Sequence, residues 1–163
     1  MEENLLNILI TVGIAMLPVL ELRGALPFAM GVLGMPLWSA FLWSVVGNIL
    51  IVVILLKFLN PVTTFLMKHS KFFNHWLNAL FHKTRHKHSD RFNEIGALCL
   101  ITFVAIPLPV TGAWTGSLVA FLFGVRFWPA LILISIGVLC AGVLVSLGFE
   151  SITAIIDYIA ALT

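Results

Sequence analysis

Glu21 and Arg23 stand two residues apart in LPVLELRGALPF, the one place where an acid and a base meet inside an apolar stretch. Charged groups at membrane depth are costly and face a partner or a pathway. A carboxylate partly stripped of water takes up a proton more readily, so Glu21 is a candidate to load and release one. Arg23 would hold that carboxylate or an anionic ligand. An ion pair that only pins the local turn is the structural alternative.

A second interruption, IPLPVTGAWTGS, offers neutral chemistry: the hydroxyls of Thr111 and Thr115, free amides around Gly112 and Gly116, and the Trp114 ring. Helices starting near Gly24 and Gly116 would aim their positive ends at a shared cavity, which favours an anion such as a phosphate. Trp114 would face that cavity or pack on the opposite interruption. No nucleophile-and-base set stands out, so no enzymatic activity, catalytic residue or cofactor is expected. His82 and His86 are one helical turn apart, with His88 close by, but Lys83, Arg85 and Lys87 would repel a metal cation, and no metal site is expected.

The elements that must position these residues are membrane helices. Of 163 residues, 61% are hydrophobic and 10% charged, and two unbroken apolar runs, 37–56 and 127–147, have the roughly 20 residues that a crossing helix needs. The first apolar stretch follows Glu2 and Glu3 instead of a basic region and lacks an evident cleavage site, so it reads as part of the mature protein. Cys99 and Cys140 fall in apolar runs and read as packing residues.

Basic residues concentrate between Lys57 and Glu94, while acids exceed bases elsewhere. Positive loops stay in the cytoplasm, which predicts a multi-pass protein of the plasma (inner) membrane with this segment on the cytoplasmic side and both termini outside. Val62, Phe65, Leu66, Phe72, Phe73, Trp76, Leu77, Leu80 and Phe81 recur at helical spacing with Lys68, His69 and Lys71 in the gaps, the pattern of an amphipathic helix on anionic lipid. Arg126 reads as an interfacial anchor.

The chain also matches itself at a shift of about 90 residues. Trp38, Ala40 and Gly47 align with Trp128, Ala130 and Gly137, and Pro18, Val19 and Ala29 with Pro109, Val110 and Ala120. Proline removes a backbone donor and glycine permits reversal, so each interruption predicts a re-entrant helical hairpin. The expected fold is a single all-α integral membrane domain built as an inverted repeat. Repeat 1 spans 1–56, with hairpin 5–34 and helix 37–56. The basic loop with its interfacial helix is 57–94. Repeat 2 spans 95–149, with hairpin 95–124 and helix 127–149, and 150–163 is the tail. Hairpins of opposite orientation would meet near the midplane and line a polar cavity; proline-kinked crossing helices are the alternative. Gly137, Ala141, Gly142 and Ser146 would allow close helix contact, within the monomer or in a homodimer.

The runs ELRGALPFAMGVLG and PLPVTGAWTGSLVAFLFG resemble the small multi-drug export protein family, over nearly the whole chain. More distantly, the chain is similar to the DedA and VTT membrane proteins, which are built on paired re-entrant hairpins. The resemblance places Glu21 at the acid of the first hairpin and implies proton-dependent drug export or lipid flipping. The arginines such proteins carry at the second tip are replaced here by Thr111 to Thr115. The expectation is therefore a small proton-coupled transporter of an amphipathic or anionic compound, acting among membrane lipids and without nucleic acid. An undecaprenyl phosphate or phospholipid flippase is the alternative within transport, and a non-transporting scaffold the alternative outside it.

Overall fold

A computed structural model describes residues 4–69, 75, 95–108 and 111–160, and all the regular structure among them is helical. The basic segment beyond His69, with His82, His86 and His88, and Pro109 lie outside the described residues, apart from His75. Six helices follow one another: α1 Leu5–Ala15, α2 Glu21–Gly31, α3 Leu37–His69, α4 Ile95–Ala105, α5 Ala113–Leu122 and α6 Phe127–Ala160. The order short, short, long occurs twice, with lengths of 11, 11 and 33 residues and then 11, 10 and 34.

The same chemistry ends corresponding elements. Leaving α2 and α5, the chain turns at Gly34 (φ 65°) and Gly124 (φ 72°), a left-handed conformation that glycine adopts without a side-chain clash. After α5 the Val125 amide donates back to the Ala120 carbonyl at 2.9 Å, and after α2 the Met35 amide donates to Ala29 at 2.9 Å. Both turns deliver the chain directly into a long apolar helix.

The long helices α3 and α6 lie side by side and antiparallel. Phe41, near the start of α3, packs where Gly142 of α6 leaves room, a Cβ there coming within 2.7 Å of the ring. Further along α3, Lys57 Nζ lies 5.9 Å from the centre of the Phe127 ring at the start of α6. The interval 37–57 covers about 30 Å at 1.5 Å per residue, the thickness of a bilayer core. On the outward faces Leu42, Val46 and Leu50 of α3 and Ile132, Ile136 and Val143 of α6 are exposed. Such apolar stripes suit lipid tails.

Glycines set how closely α3 and α6 approach the first short helix of their own halves. A Cβ at Gly47 would lie 2.6 Å from the Val12 carbonyl oxygen of α1, and one at Gly137 would lie 2.7 Å from Val104 Cβ of α4. Gly137 and Gly142 thus both serve packing within the monomer. Gly47→Ala and Gly137→Ala should each destabilise the protein by about 1–3 kcal/mol, the range for overpacking, read as a lowered Tm in detergent.

The remaining contacts also pair up. Helix α1 packs on α2 and α3 as α4 packs on α5 and α6; α2 touches α3 and α6, and α5 touches α6 and α3. The central core draws on both halves, with Leu22, Val52, Val104, Ile134 and Val138 essentially inaccessible. Every short helix is about 16 Å long, half a bilayer core.

Candidate functional site

The starts of α2 and α5 meet about halfway along the 37–57 stretch of α3, the half height of a bilayer core. Glu21, Leu22 and Arg23 share a narrow crevice with Gly112 and Ala113 of the other half, with Val104, and with Asn48, Val138 and Ala141 of α3 and α6. Asn48 and Val138 are each the twelfth residue of their helix, about 16 Å from its start.

Helix α2 begins at Glu21 and α5 at Ala113, so the expected starts near Gly24 and Gly116 are corrected by three residues each. The backbone break falls at equivalent positions in the two halves. Gly112 has φ 142°, and Glu21, 91 residues earlier, has φ 48°. A left-handed conformation costs a side-chain-bearing residue about 1–2 kcal/mol, and strain of this kind concentrates at functional sites. Gly24 and Gly116 are packing positions one turn further in, where a Cβ would meet Leu20 at 2.9 Å and Val104 at 2.6 Å respectively.

Glu21 and Arg23 direct their hydrogen bonds across to the second half instead of to each other. The carboxylate, 6% exposed, accepts the Trp114 amide on Oε1 at 3.1 Å and the Ala113 amide on Oε2 at 3.3 Å. It thereby satisfies two of the orphan donors that open α5. Bound there, it holds the place that an anionic ligand of α5 would take. Arg23 Nη1 donates to the Leu108 carbonyl, and Nη2 donates to the Ile106 carbonyl at 3.2 Å and to Thr111 Oγ1 at 3.0 Å. These are the groups exposed where α4 breaks off.

Trp114 answers Arg23. It occupies the position 91 residues on, and its indole Nε1 donates to the Met16 carbonyl at the end of α1, at 3.0 Å. Of the two expectations for Trp114, contact with the opposite interruption is the arrangement found. Thr111 Oγ1 donates within its own turn, with the Ile106 and Leu108 carbonyls at 2.7 and 2.9 Å, and accepts Arg23. Thr115 Oγ1 donates to Gly112 O at 3.4 Å, and Pro18 lies in the exposed turn between α1 and α2. The structure therefore gathers Glu21, Arg23, Thr111, Gly112 and Trp114 at one locus. It leaves Pro18, Gly24, Thr115 and Gly116 around that locus as framework.

Arg23→Gln should expose the cost of this arrangement. Two carbonyls at the end of α4 would lose a charged donor, and hydrogen bonds to charged groups contribute about 1.5–3 kcal/mol. A stability loss of that size, read as a lowered Tm, is expected, and Arg23→Lys should recover only part of it because one ammonium cannot reproduce the planar fork.

Sequence reasoning missed Asn48. Its side chain is 3% exposed, and its Oδ1 has no hydrogen-bond partner among the described residues. The available signal was a lone amide midway along an otherwise apolar crossing run.

A chain whose described residues form only helices, two of them long and apolar, with apolar outward faces and a charged pair turned inward at half height of the bilayer core, is a membrane protein. A family model described as "Putative small multi-drug export protein" matches residues 21–144, and the chain belongs to that family. The matched region runs from Glu21 to Leu144 and so contains the whole crevice. No curated protein and no solved structure matches the chain.

Proposed function

We propose that the chain is a small proton-coupled exporter of amphipathic compounds, in which Glu21 carries the proton. The observation that carries this reading is the Glu21 carboxylate: buried at half height, on left-handed backbone, and bonded to the first amides of the opposite half. Adding a proton to this group weakens a contact between the two halves, which is what coupling of protonation to movement requires. Membership of the export family supports transport as the activity.

In this reading α1–α2 and α4–α5 are re-entrant hairpins inserted from opposite faces, and the two halves form an inverted repeat. The paired lengths, the paired contacts and the antiparallel α3 and α6 support it, and helices of about 16 Å reach only the midplane. Lys57 and Arg126 lie at the same end of the long pair, which supports a cytoplasmic face there in the plasma (inner) membrane. The lipid-phosphate alternative draws no support from the tips, where the amides opening α5 hold Glu21 and Arg23 is bonded to carbonyls.

The test is proton release by the purified protein in weakly buffered detergent on addition of a panel of amphipathic cations. A compound-specific acidification, saturating at one proton per chain or fewer, is expected. No response to any compound by folded protein sinks the coupling.

A further inference from the structure

Asn48 enters the crevice from α3 with an acceptor that nothing among the described residues satisfies. Buried acceptors without a donor are rare and costly, and Asn48 Oδ1 is one, in a side chain 97% removed from solvent by its 3% exposure. The crevice is rich in acceptors and poor in donors. An ionised carboxylate only accepts, and Glu21 already takes the Ala113 and Trp114 amides. The Arg23 guanidinium, the other charged group of the crevice, has both terminal nitrogens bonded to Ile106, Leu108 and Thr111. Helix α6 contributes only Val138 and Ala141, α4 only Val104, and α5 begins with Ala113. None of these side chains donates to Asn48 Oδ1.

We propose that the crevice is a two-residue proton site, in which the hydrogen of protonated Glu21 is donated to Asn48 Oδ1. This rests on the reading of Glu21 as the proton carrier and adds its receiving partner. The chemistry balances within the site. A proton arriving from water forms an O–H bond at Oε2, which gives up the longer of the two amide bonds, that to Ala113 at 3.3 Å. Oε1 becomes the carbonyl oxygen and keeps the Trp114 amide at 3.1 Å. The new O–H turns to Asn48, so protonation trades a bond to the second half for a bond to α3 in the same half. Loss of the proton reverses the exchange. Asn48 is in this sense a positioning residue, and it is placed where the second half has only Val138.

Infrared difference spectroscopy of the purified full-length protein between acid and alkaline pH tests this. The carbonyl stretch of protonated Glu21 should appear in the acid form and vanish in Glu21→Gln. In wild type it should lie at the lower frequency of a carboxyl that donates a hydrogen bond; in the near-isosteric Asn48→Leu it should move up to that of a free carboxyl. Wild-type protein carrying 13C at the asparagine side-chain carbonyl should show an amide band that shifts together with the Glu21 band and is static in Glu21→Gln. That measurement needs no variant at position 48, so a misfolded Asn48→Leu leaves the question answerable. An unmoved Glu21 band in folded Asn48→Leu, or a static labelled amide in wild type, overturns the Asn48 assignment alone. Absence of any Glu21 carboxyl band overturns it together with the proton-carrier reading.

Discussion

Glu21→Gln is expected to abolish gradient-driven export while leaving an inserted, folded protein. Glutamine matches glutamate in shape, and its amide oxygen can still accept from Trp114, but its amide nitrogen faces the Ala113 N–H, a donor against a donor. The charged bonds at the start of α5, about 1.5–3 kcal/mol as a class, fall to the range of neutral ones, about 0.5–1.5 kcal/mol. A modest loss in Tm follows. The effect on activity is of another order, because a primary amide does not titrate in the working range. In proteoliposomes with an imposed pH gradient, efflux of a fluorescent amphipathic cation should drop to the level of empty vesicles. Glu21→Asp keeps a titrating group with a shorter reach and should retain a measurable fraction. Undiminished pH-driven efflux by Glu21→Gln would remove Glu21 from the coupling.

Gly112→Ala is expected to be the most damaging glycine-to-alanine change among the described residues. At φ 142° the backbone is in a region closed to residues with a Cβ, and the added methyl would fall on the Glu21 carboxylate. That carboxylate is held by two amides of the very helix that Gly112 precedes. Strain and overlap together predict a loss of about 3 kcal/mol or more. The measurement is thermal unfolding in detergent, with two companions. Gly34→Ala, at φ 65° and facing open space, should lose only about 1–2 kcal/mol. Gly112→Ala combined with Glu21→Ala removes the overlap and leaves the strain, so it should unfold later than the sum of the two single losses allows. A Gly112→Ala protein as stable as wild type would mean that the tips do not meet in this way.

Much of the architecture is legible in the sequence because it follows from local rules. Runs of apolar residues mark α3 and α6, and Pro18 and Pro107 mark the gaps between the short helices, although Pro27 of the first cluster lies inside α2. Glycine at 34 and 124 marks the turns that follow them. The direction of the polar side chains is not legible, because it is decided by partners about ninety residues away. Nothing near Glu21 says that it will open α5, and nothing near Arg23 says that it will close α4. The spacing suggested that these neighbours pair with each other. The structure separates them because orphan amides at one helix start and orphan carbonyls at one helix end each take the charge that suits them. Gly24 misled for a related reason: glycine marks where a chain can reverse, yet here the reversal falls on Glu21 and Gly24 serves close packing against Leu20. Asn48 carried a readable signal, an isolated amide at membrane depth, but no sequence rule links it to Glu21.

The two halves match in outline and differ in what they carry. Both charges of the crevice belong to α2, and α5 brings none. With Glu21 ionised the α2 tip carries no net charge, and with Glu21 protonated it carries one positive charge from Arg23. A displacement of that tip along the membrane normal is therefore electrically silent when the proton is absent and does work against the membrane voltage when it is present, about 2.3 kcal/mol per charge for a full crossing of 100 mV. The same displacement of α5 is silent in either state. In the proposed exporter, two similar halves would be given a sense of direction by where the charged pair of the crevice resides.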